Sequence, residues 1–293
     1  MKAKPFLKWA GGKTQLIEDI KGQIPSSVTS KSFTFIEPFV GSGAVLFWIL
    51  QSHPNIKKAV INDINTDLTN CYFTIKDNVL DLIEMLEFWE SEYHSISNDD
   101  VKKKEYYYQK RKLFNTRVSH QTLQSALFIF LNRTCFNGLY RVNRNNEFNV
   151  PIGSYKKPQI CNKPNLLAVS KLLKNVIILN GDYSDTLAYS SENTLFYLDP
   201  PYKPLSNTSS FNSYAKDEFG DLEQIRLKHF CDTLNENGHQ WILSNSDVKG
   251  KDPKDEFFDD LYSDFKINRV SARRSINANP SKRGKLTELL ITN

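Results

Sequence analysis

The chain alternates short apolar runs with longer amphipathic stretches. A β-branched and aromatic run, Phe33-Thr34-Phe35-Ile36, passes through Pro38, Gly41 and Gly43 into the apolar stretch 44–50. That pattern predicts a strand, a glycine loop and a helix. Residues 58–63 predict a second strand, after which Thr66 and Asp67 offer cap chemistry for another helix. From residue 66 to 161 the character changes: Leu80, Ile83, Met85 and Leu86 recur at helical spacing, and 101–131 reads as a polar and then apolar helix. Asn137-Gly138 and the Asn/Arg-rich stretch 141–149 predict a hairpin. Strand-like runs return at 176–180, 194–199, 240–244 and 286–292. The pattern as a whole predicts an α/β sheet domain, residues 1–65 and 162–293, interrupted by a mainly helical insertion, residues 66–161.

Composition narrows the class. The 293 residues are 24% charged and 40% hydrophobic, a soluble globular profile. No apolar run approaches the ~18–20 residues that cross a bilayer, and the start of the chain lacks the apolar middle of a secretory signal. Cys71, Cys135, Cys161 and Cys231 stand far apart, which excludes a zinc ribbon and gives no disulfide framework. A cytosolic protein with reduced thiols is expected. Charge is unevenly spread: residues 97–163 hold 13 Lys/Arg against 4 Asp/Glu, and residues 266–285 hold 7 and none. The net +5 therefore leaves −11 for the rest. Two basic segments on an acidic protein point to a polyanionic partner, the alternative being two solvated faces.

Two stretches carry candidate chemistry. Glu37-Pro38-Phe39-Val40-Gly41-Ser42-Gly43 follows a predicted strand and opens a predicted helix. Glycines there let backbone approach a ligand, and a helix start offers free N–H groups. Asp63, twenty residues after Gly43 and at the end of the next strand, suits both ribose hydroxyls of a nucleoside. Leu46 stands where a dinucleotide fingerprint needs its third glycine, which disfavours a pyrophosphate cradle. A nicotinamide cofactor, adenosylmethionine and a purely structural turn all remain open on this motif alone. Trp9, beside Gly11-Gly12 and between Lys8 and Lys13, reads either as a wall over a cofactor or as a core side chain.

Asp199-Pro200-Pro201-Tyr202 ends the 194–198 run, where ligands of open α/β sheets bind. The prolines stiffen the turn and remove two N–H donors, leaving a carboxylate, the Pro200 carbonyl and an aromatic face. That set suits an amino group on a nucleobase. Two acceptors on the two hydrogens favour a pyramidal nitrogen with its lone pair outward, while the tyrosine stacks on the extruded base. Such chemistry works by orientation and needs no metal. The alternative is a proline-rich strand exit.

Together these residues resemble the DNA adenine methylase (Dam) family of D12 class N6-adenine methyltransferases. The resemblance rests on residues 6–13 (FLKWAGGK), 37–43 (EPFVGSG), Asp63-Ile64-Asn65 and 199–202 (DPPY). It also takes in Leu131-Asn132-Arg133, 136–139 (FNGL), 147–151 (EFNVP), 155–158 (YKKP) and Arg273-Arg274-Ser275-Ile276, in the family's order over nearly the whole chain. It implies a Rossmann-like sheet that binds S-adenosyl-L-methionine, releases S-adenosyl-L-homocysteine and carries an inserted helical DNA-recognition domain with a β-hairpin. It implies methylation of N6 of a flipped adenine in double-stranded DNA, in GATC, by a protein that acts as a monomer. Cofactor contacts fall on Trp9, Ala10, Lys13, Glu37, Pro38, Phe39, Gly41, Ser42, Gly43, Asp63, Asp182, Tyr183 and Asp199. Catalysis falls on Asp199, Pro200 and Tyr202, with no metal. DNA contacts fall on Lys8, Arg133, Phe136, Asn137, Leu139, Arg141, Asn143, Pro151, Lys156 and Lys157. Phe136 stands where the family often has the tyrosine that enters the base stack, so stacking survives and a hydroxyl contact does not.

Without the family, Asn137, Arg141 and Asn143 still supply groove and phosphate chemistry around a projecting aromatic. Paired cations such as Lys156-Lys157 and Arg273-Arg274 suit phosphates, since they carry little sequence information. Tyr106, Tyr107 and Tyr108 point in three directions on a helix, so packing is expected of them.

Overall fold

The computed structural model describes residues 2–96, 99–203, 219–250, 252–273 and 285–293. In chain order the helices are α1 (Ile17–Gln23), α2 (Ser26–Thr29), α3 (Ala44–Ser52), α4 (Thr66–Asp77), α5 (Val79–Ser95), α6 (Asp100–Thr116), α7 (Gln121–Thr134), α8 (Lys163–Leu173), α9 (Asp221–Glu236) and α10 (Phe257–Leu261). The strands are β1 (Phe33–Glu37), β2 (Ile56–Asn62), β3 (Val176–Leu179), β4 (Thr194–Leu198), β5 (Gln240–Ser246), β6 (Lys266–Arg273) and β7 (Lys285–Thr292). Six of them form a mixed sheet in the order β2-β1-β4-β5-β7-β6. The chain divides into two compact units: Met1–Gly12, Gly41–Trp48 and Asn65–Asn180 make the first, and Lys13–Val40, Ile49–Ile64 and Gly181–Asn293 make the second.

In the second unit β1 pairs in parallel with β2 and β4, and β4 with β5, whereas β7 runs antiparallel to both β5 and β6. Phe33–Glu37 and Thr194–Leu198 are buried along their whole length. Mainly apolar strands buried without alternation belong to parallel sheets covered on both faces. Strand β6 has no counterpart in the sequence reading, which took 266–285 only as a basic segment. It pairs with β7 from Lys266 opposite Thr292 to Arg273 opposite Lys285. Its residues, Lys-Ile-Asn-Arg-Val-Ser-Ala-Arg, lack an apolar run because it is an edge strand, and edges are kept charged against unwanted pairing. Arg273 closes β6, and Arg274, Ser275 and Ile276 lie outside the described residues.

In the first unit α7 is buried at nearly every position from Gln124 to Thr134, as befits a helix apolar around its circumference. Its two buried amides are held: Gln124 Nε2 donates to the Phe114 carbonyl (3.1 Å), and Asn132 donates to the Lys8 and Gly138 carbonyls (2.8 Å each). The expected 101–131 helix is two helices, α6 and α7. Arg117 breaks it in a left-handed conformation (φ 59°), with its guanidinium bound to Asp67 and to the Asn146 carbonyl. On α5 the buried stripe is Leu82, Ile83, Leu86, Trp89 and Tyr93, while Leu80 is 68% exposed. The stripe follows i, i+4, i+7, i+11 from Leu82, and Leu80 lies on the far side of that face. Tyr107 is buried and donates to the Val150 carbonyl (2.8 Å), and Tyr106 donates to Glu92 (2.7 Å), so both serve packing. The expected hairpin is joined by two isolated antiparallel bridges, Cys135 to Ile152 and Val142 to Phe148, and its tip is closed by Asn143 N–H to the Glu147 carbonyl (2.9 Å).

Candidate active site

The second unit gathers its chemistry where β4 ends. Burial continues to Leu198, after which Pro200 and Pro201 prevent the strand from extending. Gln224 on α9 braces the turn, donating from Nε2 to the Pro201 carbonyl (3.3 Å) and accepting from Asn245 Nδ2 (3.0 Å). Against it lies Lys13, first residue of a 3-10 turn and only 4% exposed. An ammonium buried to this degree needs partners. Nζ lies 3.0 Å from Asp199 Oδ1 and 3.2 Å from Glu288 Oε2, and it also donates to the Tyr202 hydroxyl. The Tyr202 hydroxyl in turn donates to Glu288 Oε2 (2.7 Å). The two carboxylate side chains are 20% and 19% exposed.

Two carboxylates facing one ammonium leave an excess negative charge in a poorly solvated place. Burial pushes the Asp199 carboxyl up to about 6; Lys13 pulls it back and Glu288 adds to the rise. Burial works against charge on Lys13, but Asp199, Tyr197 and Glu288 outweigh it, and its affinity for a proton rises. At neutral pH Asp199 is an ionised acceptor with a proton affinity unusual for aspartate. Glu288 is a residue that sequence reasoning missed; the available signal was one acid within the otherwise apolar run Leu-Thr-Glu-Leu-Leu-Ile.

The ends of β1 and β2 and the segment after β3 supply the other expected cofactor residues of this unit. Asn62, buried at the end of β2, donates to the carbonyls of Pro38 (3.1 Å) and Gly181 (3.0 Å) and so ties the two turns together. It too was missed, although it precedes Asp63 directly; Asp63 follows β2 and is half-buried. Glu37 and Pro38 are buried, and the Phe39 ring lies 5.1 Å from the Tyr183 ring. Asp182 caps the helical turn Tyr183–Tyr189 through Ser184 N–H (3.0 Å). Its two oxygens accept from Arg226 (2.7 and 2.9 Å), and the Arg226 hydrogen bond, above other causes, holds its carboxyl down at about 2.

The remaining expected residues lie in the first unit. Trp9 stacks on Tyr140 (5.7 Å, 27°), and a Cβ on Gly41 (φ 48°) would sit 3.2 Å from its ring. Ala10 is exposed and Ser42 buried, and a Cβ on Gly43 (φ 74°) would lie 2.6 Å from the Tyr72 hydroxyl. Lys8 is held along its length. Its backbone N–H donates to Asn132 Oδ1 (2.8 Å), its stem crosses Gly138, and its ammonium lies 4.0 Å from the Tyr155 ring centre.

Arg133 donates to the Phe6 carbonyl (2.7 Å), and burial lowers its proton affinity. Phe136 is 47% exposed and Asn137 takes a left-handed φ of 54° beside it. Arg141 Nε donates to Asn149 Oδ1 (2.6 Å). Asn143 Oδ1 accepts from the N–H groups of Asn145 (3.0 Å) and Glu147 (2.9 Å), which builds the loop tip. Leu139 is half-buried; Pro151, Lys156 and Lys157 are exposed. No group of metal-ligating side chains occurs among the described residues. The four cysteines are free and buried.

Known proteins share this sequence at length. A family model described as D12 class N6 adenine-specific DNA methyltransferase matches residues 9–276. The chain is 48% identical over 297 residues to the type II methyltransferase M.MjaIII of Methanocaldococcus jannaschii, covering 100% of both. It is 38% identical to the type II methyltransferase M1.LlaDCHI of Lactococcus lactis subsp. cremoris, over 99% of this chain and 95% of that one. It is 36% identical to the DNA adenine methylase of Haemophilus influenzae, over 99% and 93%. On this full-length agreement the chain belongs to the D12 class of N6 adenine-specific DNA methyltransferases.

Proposed function

We propose that the protein methylates N6 of an adenine flipped out of duplex DNA, within GATC, with S-adenosyl-L-methionine as the donor. The observation that carries this reading is the ionised Asp199 at the end of β4, pinned by a buried Lys13 beside a proline-locked carbonyl and a tyrosine. The donor set fits the methyl donor. An excess carboxylate suits a sulfonium cation, Asp63 suits ribose hydroxyls, and Phe39 with Tyr183 offers aromatic surface for an adenine. When bound, S-adenosyl-L-methionine supplies an electrophilic methyl group and leaves as S-adenosyl-L-homocysteine.

The chain's own residues orient the amine. The Asp199 carboxylate and the Pro200 carbonyl accept its two hydrogens, and Tyr202 stacks on the extruded base. The nitrogen lone pair then points outward and forms the new N–C bond. As the nitrogen gains its methyl it sheds one proton, and Asp199, with a carboxyl raised to about 6, is the base that receives it. Methyl transfer is assigned to residues 1–65 and 162–293, and DNA recognition to 66–161 together with Lys8. The protein acts as a monomer in the cytoplasm, where its DNA lies. No helix among the described residues is long and apolar enough to cross a membrane.

In this reading Arg141, braced from one side by Asn149, reads a guanine edge, while exposed Lys156 anchors a phosphate. Arg141→Ala is expected to cost about 1–3 kcal/mol of discrimination at one base pair. Lys156→Ala is expected to weaken all duplexes alike and to lower the salt slope by about one. Salt titrations on cognate and mismatched duplexes separate them, and identical behaviour of the two variants overturns the division of roles. Gly138→Ala tests Lys8 in the same assay. The new methyl lies 2.6 Å from the Lys8 Cβ at a φ of 64°, so Lys8 is displaced and discrimination at its base pair falls. Mapping methyl groups on an unmodified plasmid at single-base resolution tests the whole. N6-methyladenine confined to GATC supports the reading, and another motif overturns the recognition sequence while keeping the chemistry.

A further inference from the structure

We infer that Glu288 is a positioning residue of the catalytic turn, holding the Tyr202 hydroxyl and the Lys13 ammonium so that Tyr202 and Asp199 stay fixed around the reacting amine. The inference rests on the reading of Asp199 and Tyr202 as catalytic. Glu288 comes from β7, a strand whose next three residues, Leu289, Leu290 and Ile291, are fully buried. An acid at the edge of such a core is costly unless paired. The partners it meets belong to the turn and to the residue that pins it: Tyr202 at 2.7 Å and Lys13 at 3.2 Å.

The three links close a ring. Lys13 donates to the Tyr202 hydroxyl, which donates to Glu288, which holds Lys13, and Lys13 reaches Asp199 from that ring. A tyrosine hydroxyl placed between an ammonium donor and a carboxylate acceptor has one rotamer that satisfies both, so the ring plane follows from the tether. An apolar residue at position 288 would leave the hydroxyl free to turn and the ammonium with one carboxylate.

Glu288 also acts on Asp199 through charge. The groups facing Asp199 are Lys13 from the 3-10 turn, Tyr197 from β4, Tyr202 from the turn itself and Glu288 from β7. Among them Glu288 raises the proton affinity of Asp199 and Lys13 lowers it. Removing the Glu288 charge therefore makes Asp199 a stronger acid.

The test is Glu288→Gln, which keeps size and removes charge, measured beside wild type and Asp199→Asn. The Asp199 carboxyl is titrated by NMR in ligand-free protein carrying labelled aspartate, and kcat/KM on duplex DNA is followed against pH. Expected are a shift of the Asp199 titration and of the acid limb to lower pH, and a roughly tenfold fall in kcat on the plateau from the loosened turn. An unmoved titration overturns the inference, as does a wild-type plateau. If Glu288→Gln does not fold, Glu288→Asp keeps the charge on a shorter stem. A kcat loss with an unshifted Asp199 titration then supports the tether, and a wild-type kcat overturns it. Full turnover by Asp199→Asn sinks the catalytic reading itself. An inactive Asp199→Asn beside an unaffected Glu288→Gln sinks only the role of Glu288.

Discussion

Asp199→Asn is expected to fold, to bind duplex DNA and to lose methyl transfer by roughly 10²–10³-fold. The substitution keeps the shape of the side chain and removes the charge that, in the proposed mechanism, accepts from the target amine. It also removes one of two carboxylates crowded on Lys13, and Glu288 remains to pair the ammonium. The Asp199 carboxyl at about 6 stands above its ordinary 3.8, so the folded chain binds that proton more tightly than the unfolded one. The stability tied to it is full below pH 3.8 and is lost as pH rises through about 6. In the proposed mechanism the chemistry needs the carboxylate, while the fold favours the acid. Above pH 6 the inactive variant should therefore melt no lower than wild type, and single-turnover methylation with parallel thermal melts at pH 8 checks both halves. A variant that turns over normally, or one that is inactive because it unfolds, contradicts the prediction.

Lys13→Met has the opposite balance. It leaves Asp199 and Glu288 facing each other in a poorly solvated place with no cation, and breaking such a pair costs about 3–5 kcal/mol. The same loss removes what holds the Asp199 carboxyl down, so its titration moves up from about 6. The acid limb of kcat/KM, which reports the free enzyme, should move upward with it. Near neutral pH this variant is expected to be both less stable and largely protonated at its acceptor. Partial recovery of methylation on going from pH 7 to pH 9 would separate the charge effect from simple loss of fold. A melting curve and an acid limb both like wild type would mean that the Lys13–Asp199 contact has no energetic weight.

The parallel strands were legible because β1 and β4 are β-branched and aromatic runs between turn residues. The motif at the end of β4 was legible because two prolines and an acid at a strand exit have few structural uses. Strand β6 was hidden by its own role: an edge strand carries charge, and charge in sequence reads as a solvated face. Pairing across long separations was hidden too. Lys13 was placed near a cofactor by resemblance, yet nothing in its neighbours announces an ion pair with residue 199 or a shared carboxylate at 288. In the first unit, Asn143 was assigned to DNA from residue type and Arg133 from the resemblance. Their polar atoms serve the loop tip and the Phe6 carbonyl in the structure, since short polar side chains and buried guanidinium groups satisfy nearby backbone first.

Ile36 of β1 lies beside Phe196 of β4, a neighbour 160 positions away along the chain. The entropic cost of closing so long a loop rises only with the logarithm of its length, and doubling the loop adds about 0.6 kcal/mol. The alignment of β4 against β1 is thus nearly indifferent to how many residues intervene. A chain threaded in this way tolerates lengthening or trimming between β2 and β3 while the strand end that presents Asp199 keeps its place. Under the proposed division of labour, target preference can diversify in such proteins without the methyl-transfer machinery being rebuilt each time.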